Sequence, residues 1–169
     1  MRRLIIALGR SVDSEGLSLH TFPTVESVRD AEDNLLRAAG LSLSKATTLR
    51  RVAEAVAAGA LDEAMLEKRA SADAAALLCG IKGIGPWTAS VILLRGLGRL
   101  DVFPMNDTSV ARNLALVSDA APIDIGGALQ ALSPQQGMLY YHLLLARLET
   151  RDDVGRASVI THSSRATSS

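Results

Sequence analysis

This sequence predicts an all-α fold, and three observations predict it. Of its 169 residues 48% are hydrophobic, Ala and Leu dominate, and β-branched runs are few, a composition that favours helices. Apolar residues recur at helical spacing, most clearly in Ser42–Ala58. There Leu49, Val52, Ala53, Val56 and Ala57 share one face, and Lys45, Arg50, Arg51 and Glu54 lie off it. Helix-starting Pro, Ser and Thr and helix-ending Gly punctuate the segments. The length suits one domain with a real core, built from eight to ten helices.

Taken in order, Arg2–Leu8 reads as a helix. The stretch Met1–Leu8 has a faint likeness to a signal sequence, but Gly9-Arg10 breaks its apolar run and no small-residue cleavage pattern follows. Ser11–His20 reads as a polar loop. Phe22-Pro23-Thr24 gives a stop and an N-cap, with Glu26 in the first turn of a helix running to about Ala31. Glu32–Ala39 follows, ended by Gly40, and Gly59 ends the long amphipathic helix. Leu61–Arg69 is a short helix with Met65 and Leu66 inward. Ser71 caps the next helix, with Asp73 in its first turn, and that helix carries Leu77 and Leu78 to the turn Ile81-Lys82-Gly83-Ile84-Gly85.

Pro86 opens the following helix. Val91, Ile92, Leu93 and Leu94 leave it almost no polar face, so it is expected to be buried on most sides, with Arg95 the exception. Gly96 and Gly98 end it. Asp101–Asn106 is a loop stiffened by Pro104. Asp107 opens a helix with Val110, Leu114 and Val117 on one face. Pro122–Gly127 is a break and Ile125–Leu132 a short helix. Pro134 opens Gln135–Leu148, with Leu139, His142, Leu143 and Ala146 at helical spacing. From Arg151 the chain is polar, and Thr161–Ser169 has too little apolar surface to fold. Residues 1–150 are thus the expected domain and 151–169 a tail.

Charge narrows the partners. Lys plus Arg and Asp plus Glu number 18 each, so the formal net charge is zero and any nucleic-acid footprint must be local. The one cysteine, Cys79, excludes a disulfide framework and a four-cysteine iron–sulfur cluster from this chain, and is expected to be a buried, inert thiol. No apolar stretch is long and charge-free enough to span a membrane, which makes the cytoplasm the default location.

Several residues carry two readings on local grounds. Glycines two apart let the backbone take positive φ, and outward N–H groups at a helix N-terminus suit a phosphate. The same turn is also an ordinary helical hairpin. Asp107 reads as an N-cap, Trp87 as a core aromatic, and Lys82 as either a solvated lysine or a phosphate contact. His142 reads as a structural histidine, since nothing near it has metal-ligand spacing; Tyr140 and Tyr141 flank it.

Gly83-Ile84-Gly85-Pro86-Trp87-Thr88-Ala89, then Asp101-Val102-Phe103-Pro104, then Asp107 resemble the helix-hairpin-helix DNA glycosylases, and among them the 3-methyladenine DNA glycosylase II branch. That family has a GIGxWTA hairpin followed by a DVFxxxD segment. The likeness runs from about Phe22 to about Arg147. It implies an all-α fold and hydrolytic excision of alkylated bases from DNA. By this likeness Asp107 is the catalytic carboxylate and Asp101 the structural Asp of DVF. Trp87 walls the base pocket, where an extruded base needs a surface on which to stack. Ile81, Lys82, Gly83, Ile84, Gly85 and Thr88 belong to the DNA-binding hairpin, the amides of Gly83 and Gly85 facing a phosphate. The backbone carbonyls of Cys79, Ile81 and Ile84 match those that hold a monovalent cation, Na+ or K+, in the family, and no other cofactor is implied.

Relatives resembling endonuclease III carry a Schiff-base lysine at position 87; Trp87 there implies a monofunctional, water-using enzyme. The implied partner is damaged DNA, double- or single-stranded, bound by a monomer. The sequence departs from the family in three places. No upstream Gln-Gln helix or duplex wedge precedes Phe22, so the domain is expected to be N-terminally shortened. Val91 stands where the family has Tyr, and Gln135 and Gln136 where it has Trp and Arg. The alternative function is a non-catalytic helix-hairpin-helix DNA-binding module.

Overall fold

In the computed structural model, which describes residues 2–14, 16–117 and 124–150, helices begin at Thr24, Ser42 and Asp62, whose side chains each accept a backbone amide of the first turn. The chain divides between Ala89 and Ser90 into two compact units. The regular elements among the described residues are helices apart from one short hairpin. None of their helices is long and apolar enough to cross a membrane.

The first unit contains α1 (Arg2–Leu8), β1 (Ser11–Ser14), β2 (Leu17–His20), α2 (Val25–Arg29), α3 (Asp33–Ala38), α4 (Leu43–Ala57), α5 (Glu63–Glu67) and α6 (Ser71–Cys79). The division falls within α7 (Pro86–Val91). Thr24 Oγ1 accepts the Ser27 amide at 3.2 Å and Ser42 Oγ accepts the Lys45 amide at 3.3 Å, so α2 and α4 start where capping residues predict. Gly40 and Gly59 follow α3 and α4 with φ of 96° and 69°.

Leu4, Ala31, Leu36 and Ala46 form the core here, with Leu8, Ala39, Leu41 and Leu49 packed on it. The Arg50 guanidinium donates to Ala31 O and Asp33 Oδ1, both at 2.7 Å, and ties α4 to the start of α3.

Three expectations about the bounds and faces of these elements fail. Ser11–His20 is a hairpin rather than a loop, with Ser11 opposite His20 and Ser14 opposite Leu17, and Gly16 (φ 80°) in its connection. Its strands are short and largely exposed, so no burial alternation marked them, and the ladder and turn alone hold them. Ser71 is the first residue of α6 rather than its cap; extended Ala70 precedes it and offers no capping side chain. Ala57, the last residue of α4, is exposed, and Ala46 in its first turn is buried against Leu4, Ala31 and Leu36.

The second unit holds a π-helical turn (Ile92–Gly96), α8 (Thr108–Val117), α9 (Ile125–Ala131) and α10 (Gly137–Thr150). Its core is Leu94, Val110, Tyr140 and Leu143, flanked by Leu100, Phe103, Leu114 and Leu139. Leu93 and Leu94 are both fully buried, as the lack of a polar face predicts. The ending is different from an α-helix: the Leu97 amide reaches Ile92 O at 3.3 Å, an i to i+5 bond, and the chain leaves through Gly98 at φ 67°.

The last helix begins at Gly137, two residues later than Gln135. A Cβ on Gly137 would lie 2.4 Å from Leu94 Cδ1 and 2.9 Å from Val102 O, so this close approach sets where α10 docks. Docked this way, α10 buries Tyr140 and Leu143 and leaves His142 exposed. The break at Pro122 and the tail from Arg151 lie outside the described residues, as do the side chains of Val117 and Ala146.

Candidate functional site

The hairpin lies in the first unit. At the end of α6 the Gly80 and Ile81 amides turn back to Ala76 O and Leu78 O, each at 3.1 Å. The Ile84 amide then closes the turn on Ile81 O at 2.9 Å, with the Ile84 side chain buried. Gly83 sits between them at φ 106°. Its absent Cβ matters as much as its φ: a carbon there would lie 2.0 Å from Thr48 Oγ1 on α4. Gly83 is therefore required both by its dihedral and by the packing of the turn on α4.

Gly85 does not share that role. It has no positive φ, and a Cβ on it meets nothing within 4 Å. The expectation of two strained glycines is corrected to one, because only the inner glycine faces α4. Gly85 O accepts the Ala89 amide at 2.9 Å, the first turn of α7, so Gly85 stands at the N-terminus of that helix. Lys82, Gly83 and Gly85 are exposed and Thr88 is half-buried. The Lys82 carbonyl accepts Arg51 Nη1 at 3.1 Å, which adds a guanidinium beside the turn.

Trp87 is 45% exposed, which rules out the core-aromatic reading. Cys79 is half-buried rather than buried, since α6 ends there and its last residue lies past Leu78 in the core. Among the described residues no cluster of three His, Cys, Asp or Glu side chains offers a metal site.

Asp107 lies in the second unit, immediately before α8, and its carbonyl accepts the Val110 amide at 3.0 Å. It is half-buried. Asn106 before it has φ 62°, a left-handed conformation that Asn tolerates better than other side chains. Fully buried Pro104 anchors the loop. Asp107 Oδ2 accepts a hydrogen bond from Tyr140 Oη at 3.1 Å. Tyr140 in turn has its pKa raised, first by burial and then by the hydrogen bond to Asp107 and its charge; Arg95 acts the other way.

Asp101 is exposed, and His142, expected as a structural histidine, stands exposed on α10. Sequence reading named Tyr140 without a role. The signal available was its spacing of three from Leu143, which puts both on one helical face. Asn106 gave no signal of its left-handed backbone. Asn106→Gly is expected to leave stability nearly unchanged, whereas Asn106→Val should cost about 1–3 kcal/mol, read by thermal unfolding.

The glycine turn between α6 and α7, with its exposed tip on a mostly helical scaffold, defines a helix-hairpin-helix protein. The chain belongs to the HhH-GPD superfamily of base excision DNA repair proteins, whose family model matches residues 2–122. It is 38% identical over 92 residues to DNA-3-methyladenine glycosylase 1 of Schizosaccharomyces pombe, covering 53% of this chain and 40% of that protein.

Its structure is similar to the 3-methyladenine DNA glycosylase of Archaeoglobus fulgidus (TM-score 0.67, 27% identity, 88% of this chain and 51% of that one). It is also similar to the S. pombe 3-methyladenine DNA glycosylase Mag1 in complex with abasic DNA (TM-score 0.68, 26% identity, 86% of this chain and 72% of that one). The chain spans less than half the length of the curated relatives it matches.

Proposed function

We propose that this chain carries the catalytic part of a monofunctional DNA N-glycosylase that hydrolyses the bond between an alkylated base and its deoxyribose. The observation that carries this reading is Asp107: a half-buried carboxylate at the start of α8, held by a neutral donor, in the segment that resembles DVFxxxD. A helix N-terminus favours the ionised form. As the N-glycosidic bond breaks, its electron pair leaves with the base and positive charge grows on the sugar. The Asp107 carboxylate offsets that charge and accepts a proton from the water that adds to the sugar carbon.

The hairpin holds the backbone of the DNA. Gly83 and Gly85 are exposed residues whose amides would meet a phosphate at the N-terminus of α7 without requiring net positive charge, and exposed Lys82 would add to them. Trp87, being exposed, is available to stack on an extruded base, a contact worth about 1–3 kcal/mol. The alkylated substrate class rests on the names of the S. pombe and A. fulgidus relatives. The partner is damaged DNA, paired or single-stranded, and the chain acts as a monomer.

By the family resemblance, the carbonyls of Cys79, Ile81 and Ile84 would hold a weakly bound Na+ or K+. The amides after α6 are spent on Ala76 and Leu78, and Ile81 O, though bonded to the Ile84 amide, keeps a second lone pair. When bound, the ion supplies positive charge at the turn.

The test is release of free alkylated base from methylated DNA, leaving an intact abasic strand. Binding without any release would favour the non-catalytic DNA-binding module. A further expectation concerns reaction type. With Trp87 in place of a Schiff-base lysine, borohydride should trap no covalent protein–DNA adduct on gel electrophoresis. A trapped species would show that another amine reaches the sugar.

A further inference from the structure

We propose that Tyr140 is the positioning residue of Asp107: its buried hydroxyl holds one carboxylate oxygen and fixes the direction in which the carboxylate points. The inference rests on the glycosylase reading above. Tyr140 stands 33 residues after Asp107, on another helix and well beyond the DVFxxxD segment, yet its Oη lies 3.1 Å from Asp107 Oδ2. It is only 3% exposed. A buried phenol requires a partner, and here the partner is the candidate catalytic carboxylate.

The ring has little freedom to swing away. Phe103, from the loop that leads to Asp107, packs edge-on against it at 6.2 Å and 85°. Tyr141 packs against it at 6.3 Å and 78°, and is itself tied by a 3.0 Å hydrogen bond to Leu94 O. One aromatic set therefore braces both the donor and the loop carrying the acceptor. A side chain at a helix start can turn toward its own amides; a fixed donor from α10 restrains that turn.

The chemistry of the donor also suits the task. A cation such as Arg or Lys would hold the carboxylate more strongly but cancel the charge that the sugar needs. A phenol donates one hydrogen and stays neutral. Burial and the Asp107 charge keep it protonated beyond its ordinary range, with Arg95 opposing and Tyr141 reinforcing. Among the described residues, these are the titratable and charged groups that act on it.

Tyr140→Phe in the full chain should slow single-turnover base release about tenfold, the usual worth of a hydrogen bond to a charged group. Affinity for abasic DNA should stay within about twofold, because a phenol bonded to Asp107 adds little to backbone binding. The acid limb of the pH–rate profile should move to higher pH, since the lost bond favoured the ionised carboxylate. A merely structural tyrosine would not move that limb.

A second measurement does not depend on turnover. In a Tyr141→Phe background Tyr140 is the remaining tyrosine of the two in the chain. Its ultraviolet titration midpoint should fall when Asp107→Asn is added. An unchanged midpoint overturns the proposal even if Tyr140→Phe misfolds. A folded Tyr140→Phe with the wild-type rate and acid limb overturns it too, leaving the glycosylase reading intact. An unaltered chain that releases no base overturns the glycosylase reading and this role with it.

Discussion

Asp107→Asn is expected to lower base release by on the order of 10²–10³-fold while leaving affinity for abasic DNA within about twofold. The amide is nearly isosteric and can still stand before α8, where the backbone bond from the Val110 amide does not involve the side chain. It can still accept from Tyr140 Oη. What it lacks is charge. A cationic sugar gains from the carboxylate in a half-buried site, where the field is less screened than in water.

The loss is therefore confined to the transition state, and kcat and kcat/KM should fall together. The pH profile supplies a second check. If Asp107 acts as proposed, base release by the unaltered chain should rise with pH as that carboxyl ionises; the amide cannot titrate, so that acid limb should vanish. Normal release by a folded variant would reduce Asp107 to a helix cap.

Gly83→Ala is expected to be the most damaging change in the hairpin. The substitution must place a side chain at φ 106° and put a Cβ 2.0 Å from Thr48 Oγ1 and 2.9 Å from Thr48 Cγ2. Thr48 cannot rotate freely, because its hydroxyl donates to Ser44 O at 3.0 Å. Backbone strain of about 1–3 kcal/mol and a similar overpacking cost add up to about 2–6 kcal/mol. For a chain of this size that is a fall of about 4–24 °C in Tm, measured by circular dichroism.

Thr48→Ala should recover the overpacking part in the double variant but not the dihedral part. Gly85→Ala is the contrast: with no positive φ and open space around its Cβ, it should fold normally. Any loss of DNA affinity there would then reflect the approach of the phosphate alone, without regard to sequence. A Gly83→Ala protein as stable as the unaltered one would refute this account of the turn.

Much of this was legible in the sequence because it is local. Thr24 and Ser42 cap helices, Gly40 and Gly59 end them, and Pro86 opens one, each through bonds or dihedrals within a few residues. The hairpin turn and the Asp before α8 are of the same kind, and so is their resemblance to a family. The hairpin Ser11–His20 escaped notice because exposed strands leave no burial alternation to read.

What the sequence alone determined is therefore where helices start and stop, that the protein is helical, and which turn and which carboxylate could matter. The tertiary structure decided which of two glycines is strained, since only Gly83 faces Thr48. It decided that the run after Trp87 closes as a π-turn, because α and π endings share the same apolar residues. It also decided that Tyr140 rather than His142 turns inward, through the close docking of Gly137 on Leu94. From that docking follows the bond between Tyr140 and Asp107. Local periodicity ranks faces of one helix, but which residue of another helix comes to meet them depends on how the two pack, and that is a property of the whole core.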